Sequence, residues 1–131
     1  MDSELKKILV RMGEDLPHLV AAAVVMVEDG LPLAEFCQEP KFEAGEAAAY
    51  LASIVKSNRR AIKILEGGHR TDDILITTDR NFFLIRHDAN HPFFIFVMTS
   101  KEEWLGRVRI AMKKYEALIT AMMVEKTGGA E

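Results

Sequence analysis

The sequence predicts a three-layer α+β domain, an α/β arrangement reading helix, two strands, helix, three strands, helix (α-β-β-α-β-β-β-α). Three observations carry this. A long helical pattern over residues 43–66 separates two stretches that read as strands. The last strand pattern, Phe93-Phe94-Ile95-Phe96-Val97-Met98, is apolar on both faces, so it needs cover on both sides and a central place in its sheet. One helix cannot cover two faces, which calls for helices above and below. With the last strand central, the expected strand order is 2-1-5-4-3.

Ser3 is positioned to cap a first helix over residues 4–16, with Leu5, Ile8, Leu9, Met12 and Leu16 as its apolar stripe, ahead of Pro17. Residues 21–28 and 31–36 read as a hairpin around Asp29-Gly30, a strong short turn signal. Pro32 has no N–H to donate, which puts the second strand at a sheet edge.

The long helix repeats core-type residues at Ala47, Ala48, Leu51, Ile54, Val55, Ile62 and Leu65, the spacing of one stripe packed on a sheet. Gly67-Gly68 stops it, since glycine takes the left-handed cap conformation without a steric penalty. A second stripe runs Glu46, Ala49, Tyr50, Ser53, Ser57, Arg60, Ile64. At its centre three small residues, Ala49, Ser53 and Ser57, lie four apart. Such a ridge allows close approach of another helix, while a solvated, short-chained face is the plainer reading.

Strand patterns follow at residues 73–78, 82–88 and 92–99, with turns at Asp79-Arg80-Asn81 and Ala89-Asn90-His91. The strand order makes residues 73–78 the second edge, where Ile74, Leu75 and Ile76 invite pairing with another chain. Ser100 and Glu103 read as a capping box for the last helix, whose expected buried stripe is Trp104, Val108, Ala111, Met112, Tyr115, Leu118, Ile119 and Met122. The domain is expected to span residues 1–125, with 126–131 as a frayed tail.

The chain has 131 residues, 49% hydrophobic and 28% charged, which suits one globular domain with one core. A net charge of −3 argues against general binding to nucleic acid or acidic membranes. The single cysteine, Cys37, cannot form an internal disulfide, which fits a reducing cytoplasm. Residues 1–4 are acidic and lead into an amphipathic pattern, unlike a signal peptide, and no apolar run is long enough to span a membrane.

Little in the sequence points to catalysis. His87, Asp88 and His91, with His69 upstream, are metal-ligating types, but a strand end and a turn separate them, so surface histidines are the better reading and no metal is expected. Cys37 reads as a packed thiol rather than a nucleophile. Gly67-Gly68 ends a helix and is followed by His69-Arg70, unlike a phosphate-binding loop. His18 reads as a loop residue. No catalytic residue and no cofactor are assigned. The basic run Lys56, Arg59, Arg60, Lys63 is a solvated face or a docking surface for an acidic partner.

Three stretches together resemble the roadblock family, the dynein-light-chain-like domains that also occur in bacteria and archaea. They are Ala22-Ala23-Val24-Val25-Met26-Val27-Glu28-Asp29-Gly30-Leu31-Pro32-Leu33-Ala34, the long small-residue helix, and Ile74-Leu75-Ile76 followed by two further strands. The resemblance covers nearly the whole chain and rests on hydrophobic motifs, with Asp-Gly-Leu-Pro-Leu the most recognisable. It implies a five-stranded antiparallel sheet with the middle helix on one face and the terminal helices on the other. It also implies a dimer in which third strands pair edge to edge and middle helices lie side by side. On this sequence that surface maps to Ala49, Ser53, Ser57 and Ile64, and to Asp73, Ile74, Leu75, Ile76 and Thr77. Family members bind or scaffold small Ras-like GTPases, and the bacterial gliding-motility member activates one without donating a catalytic arginine. Lys56, Arg59, Arg60 and Lys63 are then the GTPase-docking candidates.

The expected function is a cytoplasmic, homodimeric, non-catalytic regulator or scaffold of a small Ras-like GTPase. It is expected to bind no nucleic acid and to insert in no membrane. The alternatives are a small-ligand-binding sensory or profilin-like module, with Phe82, Phe83, Phe94, Phe96 and Trp104 around a pocket, and a metalloenzyme at His87, Asp88 and His91.

Overall fold

A computed structural model describes residues 2–67 and 70–126. The elements are α1 (Asp2–Asp15), β1 (Leu19–Met26), β2 (Pro32–Cys37), α2 (Ala44–Glu66), β3 (Ile74–Thr77), β4 (Asn81–His87), β5 (Phe93–Ser100) and α3 (Leu105–Lys126). The strands form one sheet in the order β2-β1-β5-β4-β3, and every neighbouring pair is antiparallel. The expected order is found. β5, buried from Phe93 to Val97, is its middle strand. β2, which opens on Pro32, and the four-residue β3 are its two edges.

Alternation along the strands divides the core in two. Ala22, Val24, Leu84, Phe93, Ile95 and Val97 meet α1 and α3 through Leu5, Leu9, Met12, Val108, Met112, Tyr115 and Ile119. On the other face Ala23, Val25, Ile85, Phe94 and Phe96 meet α2 through Ala48, Leu51, Ala52 and Val55. Each large side chain buried in this way contributes about 1.5–3 kcal/mol of transfer free energy. The terminal helices are tied to each other by Tyr115, whose hydroxyl donates to Asp15 Oδ2 at 2.5 Å, and by Lys114 Nζ at 3.3 Å from the same oxygen. Asp15 ends α1, where the helix dipole disfavours a carboxylate. The Tyr115 hydroxyl, with Lys114 behind it, holds its pKa below the ordinary value against the opposing effect of burial.

Several local expectations need correction. Ser3 lies inside α1 instead of capping it. The β1 strand starts at Leu19, earlier than expected, and ends at Met26, because the turn is five residues wide: Gly30 N donates to Met26 O and Met26 N to Leu31 O. Of the expected α2 core stripe, Ala48, Leu51 and Val55 are buried, but Ile54 is exposed and Leu65 is 76% exposed. Past Val55 the inward positions pass to Asn58 and Arg59, which carry polar contacts instead of apolar ones. Ser100 and Glu103 do not cap α3. Ser100 is the last residue of β5, its N–H donates to His18 O, and the helix begins at Leu105. Glu103 is buried and accepts from His18 N at 3.0 Å. Trp104 is 78% exposed and Leu118 is also outside the core, while Met123 takes a buried place. Gly67 caps α2 with φ 63° as expected, whereas Gly68, His69 and the tail 127–131 lie outside the described residues.

Candidate functional site

The α2 helix crosses one end of the sheet. Near its start Ala49 and Ala52 face the β1–β2 turn, where Gly30 adopts φ 70° and a Cβ there would lie 3.1 Å from Ala49 Cα. Lys56 Nζ then donates to Glu28 O at 2.7 Å. One turn later Arg59 reaches the β4–β5 turn: its Nε donates to His87 Nδ1 at 3.1 Å, and its Nη2 donates to Asp88 O at 2.8 Å and His91 O at 3.0 Å. The close approach of the α2 main chain thus favours a residue without a side chain at position 30.

Because Arg59 donates to Nδ1, the proton of neutral His87 sits on Nε2, which donates to Asn58 Oδ1 at 3.1 Å. The same Asn58 oxygen accepts from Thr71 Oγ1 at 2.8 Å. Burial and then the Arg59 charge push the His87 pKa down to about 4, outweighing Asp88. A hydrogen-bonded chain therefore links the middle of α2 to the end of β4 and to the segment that enters β3. An asparagine-arginine pair continuing the apolar stripe of α2 was its sequence signal; Thr71 carried none.

The outer side of α2 is a different surface. Ala49, Tyr50, Ser53, Ile54, Ser57, Ala61 and Ile64 are all exposed, and Ser53, Ile54, Ser57 and Ala61 line a shallow groove. Ile54 and Ala61 extend the row read from the sequence. On the same face of the sheet Ile74, Ile76 and Phe83 are only half-buried, because α2 lies mainly over β1 and β2. Leu75 points to the opposite face and Thr77 is exposed. The outer edge of β3 has no strand partner among the described residues. Asp73, just before β3, is held by α3: Arg109 Nε and Nη2 donate to its two carboxylate oxygens at 2.9 and 3.2 Å.

The docking candidates differ in what they do within the subunit. Arg59 is committed to its own chain and Lys56 to Glu28, while Arg60 and Lys63 are exposed with no side-chain partner among the described residues. The proposed aromatic pocket does not assemble either. Phe94 and Phe96 are filled core on the α2 face, the neighbour of Phe82 on β5 is Thr99 on the opposite face, and Trp104 is in solvent. The metalloenzyme reading finds no assembled site: both ring nitrogens of His87 are engaged, and among the described residues no three His, Cys, Asp or Glu side chains come together to hold a metal ion. Burial pushes the Cys37 thiol up, the wrong direction for a nucleophile.

No protein-family model matches the chain, and no curated protein matches its sequence. Solved structures do match. MglB of Myxococcus xanthus superposes with a TM-score of 0.83 at 15% identity, over 94% of this chain and 90% of that one. A Roadblock/LC7 domain from Streptomyces avermitilis follows at 0.77 and 16% identity, over 90% of this chain and 97% of that one. The fold is the roadblock fold. MglC of Myxococcus xanthus shares it with a TM-score of 0.62 at 13% identity, over 90% of this chain and 98% of that one. The likeness to these roadblock structures is one of architecture over almost the whole domain.

Proposed function

We propose that this chain is a homodimeric, non-catalytic regulator or scaffold of a small Ras-like GTPase. One observation carries the reading: the outer edge of β3 has no strand partner among the described residues, and its Ile74 and Ile76 lie on the face of the sheet that also bears α2 with its exposed small-residue row. These are the two features that meet across the dimer in the family the sequence resembles. Pairing two β3 strands would give their outer N–H and C=O groups partners and cover Ile74 and Ile76. The paired α2 helices would form the platform that holds the switch regions of the GTPase and shifts it toward a state competent for hydrolysis or localisation. Arg60 and Lys63, unspent within the subunit, would act on encounter and orientation. Among the described residues no helix is long and apolar enough to cross a membrane. A reducing cytoplasm is the proposed compartment.

The test has two arms. Light scattering at micromolar concentration should give twice the subunit mass, and a monomer there sinks the platform. Immobilised protein should retain a Ras-like GTPase from the same cells, with different affinity for its GTP-analogue and GDP forms. Retention of neither form rejects the GTPase reading even if the dimer stands.

A further inference from the structure

Three arginines are partly buried in the subunit, and one differs from the others. Arg86 has its own carboxylate, Glu116 at 2.7 Å, and Arg109 has Asp73 at 2.9 Å. Every hydrogen bond of Arg59 goes to a neutral acceptor: an imidazole nitrogen and two main-chain carbonyls. Burial pulls its pKa down, which marks the guanidinium as desolvated without full compensation by an anion. Its Nη1 makes no hydrogen bond among the described residues. A charge in that condition is a standing attraction for an anion.

The room for one is beside it. A cleft of about 330 Å³ lies between the second half of α2 and the β4–β5 turn. It is lined by Arg59, Lys63 and Arg70 as cations, by Ile62 and Ala89 as apolar wall, and by Thr71. Among the described residues Asp88 is the only carboxylate on this lining, where Arg59, Lys63 and Arg70 supply three cations in a chain whose net charge is −3. Asp88 is already occupied by Asn90 N at 2.9 Å, and its contact with the exposed Arg70 is long, 3.6 Å. Arg70 is therefore free to turn toward a better acceptor. His87, also on the lining, is neutral above about pH 4 and keeps its proton on the nitrogen facing Asn58, so it does not compete for the anion. The volume suits a compact ligand, at the lower end of the usual range for small-molecule sites.

From this we infer that the cleft binds a small organic anion, a carboxylate or phosphate monoester on a short apolar body. The charged group sits against Arg59, with Lys63 and Arg70 closing over it, and the apolar body rests on Ile62 and Ala89. The cleft shares Lys63 with the proposed docking residues, but its test reads small-anion binding by this chain alone and needs neither the GTPase nor the dimer.

Amide NMR of the full chain titrated with phenyl phosphate at constant ionic strength tests it. Saturable shifts are expected at Ile62, Thr71 and Ala89, with inorganic phosphate weaker and benzyl alcohol without effect. Arg59→Gln is open to the objection that it loosens the β4–β5 turn. Lys63→Gln and Arg70→Gln change exposed side chains and should each weaken binding about tenfold, the loss of one charge-assisted contact. Absence of saturation, shifts spread over other basic surfaces, or undiminished affinity in both exposed variants overturns the assignment.

Discussion

Arg59 Nε donates to His87 Nδ1 at 3.1 Å, and this bond joins α2 to the end of β4 only while the imidazole is neutral. Protonating His87 would place a second N–H against the guanidinium and a second cation beside it in a buried site. The folded-state pKa is accordingly depressed from 6.5 to about 4. A depressed histidine pKa means that the unfolded chain takes up the proton first. The stabilising contribution is complete above pH 6.5, is lost progressively as pH falls from 6.5 toward 4, and changes no further below that. The whole loss is roughly 3 kcal/mol for this one group. Urea denaturation of the protein and of His87→Gln, from neutral pH to pH 4, should show a steeper decline in the parent. Equal slopes, or an NMR titration placing His87 near the ordinary value, would reject the linkage.

Thr99 makes a contrasting case. Its side chain is fully buried in β5, and Oγ1 has no hydrogen-bond partner among the described residues. A buried hydroxyl without a partner has lost its water and gained nothing in exchange. Thr99→Val keeps the branched shape and removes the polar atom, so it should raise stability by about 1 kcal/mol. The midpoint of chemical denaturation should move up at unchanged slope. A lower midpoint would mean that the hydroxyl is satisfied in solution.

What the sequence disclosed follows the strength of its periodicities. The two-sided apolar run Phe93–Val97 placed β5 at the centre, Pro32 placed β2 at an edge, and the strand order followed from those two facts. The expectations that failed depend on contacts between distant segments. The Ser100-to-Glu103 spacing imitates a helix start, but Ser100 N is bound by His18 O and Lys101 N by Arg80 O, which hold this segment outside the helix. Trp104 and Leu65 have the spacing of core residues but are left in solvent. In the candidate site, the exposed row on α2 was legible because small residues on a helical period leave a trace. The commitment of Arg59 was not, since its partners His87, Asp88 and His91 lie about thirty residues away and main-chain carbonyls carry no sequence signature.

The outer row of α2 yields a prediction that separates the assembly from the subunit. Ser57 is exposed, so a longer charged side chain there meets only solvent in an isolated subunit. Between two paired helices the same side chain would be an unpaired charge cut off from water. Ser57→Glu should therefore halve the mass seen by light scattering while leaving the circular dichroism spectrum of the fold intact. Its effect on the isolated subunit should stay within about 0.5 kcal/mol, as for surface substitutions generally. An unaltered dimer would show that this row lies outside the interface.

Gly30 and Ala49 predict the cost of crowding the β1–β2 turn. Gly30 holds φ 70°, where any side chain costs about 1–2 kcal/mol, and an added Cβ would sit 3.1 Å from the Ala49 main chain. Since the neighbour is backbone, relief requires α2 itself to shift. Gly30→Ala should thus lower stability by more than the conformational term alone, about 2–3 kcal/mol including overpacking. Gly30→Asn tests the two components, because asparagine tolerates the left-handed region but still carries a Cβ. If contact with α2 matters, asparagine recovers only part of the loss in urea denaturation; full recovery would leave backbone conformation as the sole cause and the turn uncoupled from α2.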